Sequence, residues 1–299
     1  MKNRKSNADK VVVIGGSGFI GSHVSDELTY RGFDVTVFDQ APSLWKNESQ
    51  KMIVGDLLDR DHLFQVFEGA RYIYHFGGIA DIDYARQYPY DTVKTNIMGT
   101  ATVLEAVRES SVERLLYAST VYVYSDQGSF YRASKQASEI LIEAYQERYG
   151  VDFSLLRYGS LYGPRSQDWN GLYRYVKKIL DEGEIHYNGT GEEKREYIHA
   201  EDAARLSVDV LSEDYINRAV TITGTQTLIA RDVIKMIFEI SGIEENAHYL
   251  KTNEMGDHYG LTPYRYSPKQ ATKIIPREFV DIGQGILDLV EVIHSKKEK

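Results

Sequence analysis

Short runs of β-branched and aromatic residues alternate with stretches of helical period through the first half of the chain. Residues 11–14, 35–38, 51–54, 72–76, 115–118 and 154–158 are mostly apolar, as strands covered on both faces must be. Between them, 19–31, 61–67, 90–109 and 131–149 place apolar residues at helical spacing. This alternation predicts an α/β fold, a Rossmann-type doubly wound parallel sheet with right-handed crossovers and helices on both faces. After Gly163-Pro164 the rhythm changes: helices are expected at 171–182, 200–212 and 230–241 and a strand at 220–223, followed by an irregular, aromatic-rich stretch over 246–276. The expected division is a dinucleotide-binding domain over 1–165, with a returning segment near 200–225, and a smaller α/β substrate-binding lobe over 166–299.

Composition narrows the chemistry. A formal net charge of −9 without a basic stripe argues against nucleic-acid binding. The absence of cysteine excludes disulfides, zinc–thiolate sites and thiol nucleophiles, and it suits a reducing cytoplasm; no metal site is expected. The basic amino terminus is followed by only four apolar residues before glycines interrupt, too few for a secretory signal, and no run is long enough to span a membrane.

The first strand runs directly into Gly15-Gly16-Ser17-Gly18-Phe19-Ile20-Gly21. Glycines at 15, 18 and 21 allow a tight turn, close approach of backbone to a pyrophosphate, and close helix–strand packing, and the next helix aims its N–H groups at the phosphates. A second strand ends at Asp39, 18 residues beyond Gly21, placed to accept from a ribose 2′-hydroxyl and to repel a 2′-phosphate. NAD is therefore expected rather than NADP. Asp56, after the third strand, could meet the adenine amino group or simply close a turn before the next helix.

Tyr131 and Lys135 stand four residues apart at a helix start and so share a face. A phenol of pKa about 10 is a poor base, and a nearby ammonium favours its ionised form. With 23 tyrosines in the chain the spacing alone is weak evidence, and an isolated pair reads as a solvated helix face. Its weight comes from position, just after the fifth strand, whose end Ala118-Ser119-Thr120 offers hydroxyls at the carboxyl edge where open α/β sheets bind ligands.

In its motifs the chain resembles the extended short-chain dehydrogenase/reductase family, specifically its nucleotide-sugar epimerase and dehydratase group. The likeness runs through Gly15–Gly21, Asp39, Asp56-Leu57, Tyr74-His75-Phe76-Gly77-Gly78, Asn96 to Thr100, Ser119-Thr120, Tyr131 with Lys135, Arg157 to Pro164 and Arg195 to His199. It implies Tyr131 as acid/base, Lys135 as its electrostatic partner and a ribose ligand, and Thr120 as hydrogen-bond partner of the reacting hydroxyl. It further implies cofactor contacts from Gly15, Gly18, Phe19, Ile20, Gly21, Asp39, Asp56, Leu57, Phe76, Gly77, Asn96 and Tyr158, and a diphosphate contact from Arg195. The chain departs from the group in having Ser160 where a diphosphate-contacting Asn is usual and Gly256-Asp257-His258-Tyr259 where a second diphosphate arginine is usual, with Ser160 and Arg265 taken as the substitute substrate contacts. Arg195, read as a bare residue, would be a salt-bridge partner of Glu193 and Glu196; His199 reads as structural. Dehydratases of the group carry Asp-Glu after the threonine and decarboxylases a Glu, where this chain has Val121 and Tyr122. Combined epimerisation and reduction relies on a cysteine, which is absent. What remains is a 4-epimerase, or alternatively a 4-dehydrogenase or 4-ketoreductase, with a catalytically idle NAD(H)-binding protein as a third reading. Only ten residues separate Thr120 from Tyr131, fewer than is usual in the group. A nucleotide-diphosphate sugar is the expected substrate, and a homodimer through helices 90–109 and 131–149 the expected assembly.

Overall fold

The computed structural model describes residues 8–249 together with Leu261 and Pro263. Its centre is a seven-stranded parallel sheet built from β1 (Lys10–Ile14), β2 (Asp34–Asp39), β3 (Lys51–Val54), β4 (Ala70–His75), β5 (Arg114–Thr120), β6 (Phe153–Tyr158) and β10 (Arg218–Ile222). The strand order is β10-β6-β5-β4-β1-β2-β3, so the order in which strands are added reverses between β1 and β4. At such a reversal the loops at the carboxyl ends diverge and open a crevice. Val11, Val13, Tyr74, Leu116 and Leu156 pack on one face, and Val12, Ile14, Ile73, Leu115 and Leu155 on the other, which is why these strands read as apolar runs rather than alternations.

Helices α1 (Phe19–Tyr30) and α8 (Ala200–Asp209) supply Phe19, Val24, Leu28, Ala203 and Val208 to the first face; α2 (Arg60–Phe67), α5 (Gly99–Arg108) and α6 (Ser129–Tyr149) cover the second with Leu63, Leu104 and Ile142. Residues 200–222 thus return to the sheet, with β10 adding its edge strand. The helix expected over 90–109 is composite. It starts with Pro89 at its first turn in α4 (Pro89–Thr92), widens into a π-helical turn over Val93–Met98, and continues as α5. The widening exposes the Asn96 carbonyl to two hydroxyls, Thr100 Oγ1 at 2.6 Å and Ser138 Oγ at 3.0 Å. A short helix not anticipated from the pattern, α3 (Ile82–Gln87), precedes it, capped by the Asp81 carboxylate.

Beyond the sheet, β7 (Ser160–Tyr162), β9 (Lys194–His199) and β11 (Thr227–Ile229) form a three-stranded sheet, and β8 (Ile185–Tyr187) pairs with β12 (Ala247–Tyr249). A separate apolar cluster, with Ile179 of α7 (Gly171–Glu182) and Ile234 and Phe238 of α9 (Ala230–Ser241), holds these short strands together. Most of the 246–276 stretch, Arg265 included, lies outside the described residues. Among the described residues no helix is long and apolar enough to cross a membrane.

Candidate active site

The glycine turn after β1 is shaped by backbone contact. Gly15 has φ +76°, a left-handed conformation, and a Cβ there would lie 2.5 Å from the Gly77 nitrogen. A Cβ on Gly21 would lie 2.3 Å from the Gly15 carbonyl oxygen, so only glycine lets α1 start this close to β1. Gly18 caps α1 without a side-chain hydrogen bond, and a Cβ on it would meet nothing nearer than Gly15 O at 3.3 Å. Asp39 ends β2 with its carboxylate accepting from the Ser17 backbone N–H at 3.0 Å. Leu57 fits because Gly99 has no Cβ, which would stand 2.6 Å from the leucine Cδ2. Asp56 accepts from the Leu58 backbone N–H at 2.9 Å, whereas the cap of α2 is Asp59.

Tyr131 and Lys135 emerge from the first turns of α6 against the end of β5. The short segment after Thr120 fits because it coils into a 3-10 turn over Val121–Tyr124, the Thr120 hydroxyl accepting from the Tyr122 backbone N–H, and because Gly128 takes φ +94° just before the helix. Lys135 is buried; its Nζ donates to the Ala118 carbonyl at 2.8 Å and lies 4.8 Å from the Tyr117 ring centre and 6.0 Å from that of Tyr131. Burial pushes the Lys135 ammonium below the usual lysine range, and the charges of Tyr131 and Glu139 pull it back up. Behind this pair His75, fully enclosed with Nε2 3.1 Å from Thr100 Oγ1, is pushed down to about 3 by burial and by the charge of Lys135, and so is neutral at pH 7.

One turn further along α6 lies an ion pair between buried Glu139 and half-buried Arg157. Glu139 accepts from Arg157 Nε at 2.9 Å and Nη2 at 2.6 Å, and from Ser119 Oγ at 2.5 Å. Arg157 Nη1 also donates to the Tyr124 hydroxyl at 2.6 Å. A two-pronged pair of this kind fixes the register of α6 on β5 and β6 and anchors the turn after Thr120. Sequence reasoning quoted Ser119 and Arg157 only as parts of motifs and missed Glu139; the signal was its i, i+4 spacing from Lys135. Asn96 is likewise buried, its side chain accepting from the Ile79 N–H and donating to Ile79 O and Ser134 Oγ, so it clamps the wall from behind.

The glycine turn, the end of β5 and the start of α6 border one cavity of about 1590 Å³, with His75, Asn96, Glu139 and Arg157 behind its lining. Gly15, Gly18, Phe19, Ile20, Gly21, Asp39, Asp56, Leu57, Phe76 and Gly77 line it, as do Thr120, Tyr131, Lys135, Tyr158, Ser160 and Arg195. Tyr158 turns its hydroxyl away, onto Ser207 Oγ at 2.6 Å. Arg195 is half-buried on β9; neighbouring Glu193 is buried and closes the Gly189–Gly191 turn by accepting from the backbone N–H groups of Thr190 and Gly191. His199 caps α8 through its side chain, a structural role.

Residues 11–222 match the model of the NAD dependent epimerase/dehydratase family. The chain belongs to that family. It is 27% identical to a UDP-glucuronate 4-epimerase of Thermodesulfobacterium geofontis over 80% of this chain and 83% of that protein. It is 26% identical to a putative UDP-glucose 4-epimerase of Methanocaldococcus jannaschii over 94% and 97% of the two chains. dTDP-D-glucose 4,6-dehydratases are also among the relatives, one from Mus musculus at 25% identity over 82% of this chain and 78% of that protein. The fold matches that of a UDP-glucuronic acid 4-epimerase from Bacillus cereus in complex with UDP-glucuronic acid and NAD, with a TM-score of 0.78, 24% identity, and 88% and 95% of the chains covered.

As a member of this NAD-dependent enzyme family the chain uses NAD, and the residues present fit it. Gly18 leaves open the space that any side chain would fill, the first-turn amides of α1 border that space without a side-chain cap, and Asp39 ends β2 beside it.

Proposed function

We propose that this family member is a nucleotide-sugar 4-epimerase with Tyr131 as its acid/base. The observation that carries the reading is that Thr120, Tyr131 and Lys135 share one cavity with the glycine turn, Asp39 and Arg195. In this reading the Gly15–Gly21 turn, Asp39, Asp56, Leu57, Phe76, Gly77 and Tyr158 line the cofactor side, with Asn96 holding the wall. NAD held by these residues would supply the hydride acceptor and donor for the sugar C4. Thr120 orients the 4-hydroxyl, and Tyr131 removes its proton as the 4-keto sugar forms. The buried Lys135 charge favours the Tyr131 phenolate, and its bond to Ala118 O keeps it in place. After the keto sugar turns over, Tyr131 returns the proton to the opposite configuration. Arg195 and Ser160, with Arg265 from outside the described residues, contact the nucleotide diphosphate. Val121 and Tyr122 offer no carboxylate beyond Thr120, which favours epimerisation over the dehydration named for some relatives.

The same reading divides the chain into a cofactor domain over 1–165, rejoined by 200–225, and a substrate lobe over 166–299, working in the cytoplasm as a homodimer. Exposed Tyr90, Met98 and Ile140, on or between the helices expected at the interface, support the dimer; sedimentation at a mass of one chain would remove it. The catalytic test is incubation with UDP-glucose, UDP-glucuronate and UDP-N-acetylglucosamine without added NAD, reading C4 configuration by NMR. Inversion of one of them is expected. Net NADH formation without inversion would indicate a dehydrogenase, and no reaction with any would remove the proposal.

A further inference from the structure

The two-stranded sheet β8–β12 carries a second cluster of chemically capable side chains. Ile185 and Tyr187 of β8 point into the apolar cluster around Phe238, so strand alternation turns Glu184 and His186 outward. β12 pairs with β8 in parallel, with His248 directly opposite His186. Three donors therefore meet on one outer face although 62 residues of chain separate the two histidines. The imidazole rings stack with centres 4.6 Å apart and planes 18° apart. Their Nε2 atoms face the two oxygens of one carboxylate, His186 to Glu184 Oε1 at 3.5 Å and His248 to Glu184 Oε2 at 4.0 Å. Asn246 Nδ2 donates to Glu184 Oε2 at 3.3 Å and steadies it.

We propose that Glu184, His186 and His248 form a binding site for a divalent transition-metal ion of the zinc type. The donor atoms all lie within 4.8 Å of one another, whereas tetrahedral zinc bonds of about 2.0–2.1 Å need them roughly 3.3 Å apart. The histidine side chains are 61% and 52% exposed and that of Glu184 39%, which leaves them room to make that contraction by rotation. Two imidazoles and one carboxylate suit zinc, nickel or copper rather than the oxygen-seeking calcium or magnesium, and leave a fourth position open to water. His186 also lines the large cavity, so an ion here would sit at its rim and tie β12 to β8. The inference stands apart from the epimerase reading.

The test is calorimetric titration of Zn2+ into chelator-treated, tag-free protein, beside His186→Ala, His248→Ala and Glu184→Gln variants. One tight equivalent is expected for the natural chain, with each histidine variant weakened at least about tenfold. Co2+ should give the visible absorption of a tetrahedral nitrogen–oxygen site that both histidine variants lose. Circular dichroism and retained NAD establish that the variants are folded. Zinc bound equally well by the His186→Ala and His248→Ala variants, or bound only weakly at many sites as an adventitious ion only, would overturn the proposal.

Discussion

Tyr131 and Arg195 border the same cavity on different supports. Tyr131 rides on a helix of 21 residues, two turns before a buried carboxylate–guanidinium pair that locks this helix to two central strands. Arg195 rides on a strand of six residues, half-buried, flanked by strands of three residues each. The first support is expensive to disturb because its charges are enclosed; the second shares its surroundings with solvent. The contrast teaches that the residues proposed for proton and cofactor chemistry sit where the chain is over-determined, whereas the residue proposed to meet the diphosphate sits where substitution costs little.

That contrast can be broken in graded steps. Tyr131→Phe should lower turnover about 10²–10⁴-fold with NAD still bound, measured by product NMR and by cofactor released on denaturation. Full activity in this variant would remove the acid/base role. Glu139→Gln leaves the partly buried Arg157 charge without its ionic partner and should cost about 1–3 kcal/mol in urea unfolding, while pairing it with Arg157→Met should restore part of that loss. A cost below about 1 kcal/mol would show that the enclosed pair is not what stiffens this side.

His75 adds a pH signature. Its folded pKa, about 3, lies below the unfolded value of about 6.5, so the unfolded chain takes up the proton first as pH falls. Stability attributable to this ring is complete above about pH 6.5 and is lost toward pH 3. Between pH 6.5 and 5 the loss should be about 2 kcal/mol, and His75→Gln should flatten the acid limb of a urea-midpoint profile by that amount. An unchanged slope would contradict the enclosed, neutral ring. The smallest structural effect is expected from Arg195→Met, which should raise KM about tenfold or more and cost no more than about 1 kcal/mol of stability. A collapse of folding in this variant would erase the distinction between the two supports.

Legibility followed the same division. The strands of the central sheet were readable because both faces are covered, leaving uninterrupted apolar runs, and the glycine turn was readable because Gly15 and Gly21 have backbone within 2.5 Å of where a Cβ would stand. Tyr131 and Lys135 share a helix, so local spacing placed them on one face, but only their position after the fifth strand singled the pair out. Glu139 and Arg157 meet across a helix–strand contact that no local period encodes. The π-helical turn at Asn96 was hidden in an ordinary helical pattern, although its Asn96 carbonyl accepts from the hydroxyls of Thr100 and Ser138. β7, β8, β11 and β12 are three residues long, too short to show alternation, and His186 meets His248 only through their pairing.

The central claim, that hydride leaves C4 and returns to the same sugar inside the cavity, is tested most directly with UDP-glucose and UDP-glucuronate carrying deuterium at C4, in ordinary water and without added NAD. Inverted product that keeps its deuterium at C4 is the predicted result. Inversion with deuterium exchanged for solvent hydrogen would contradict it.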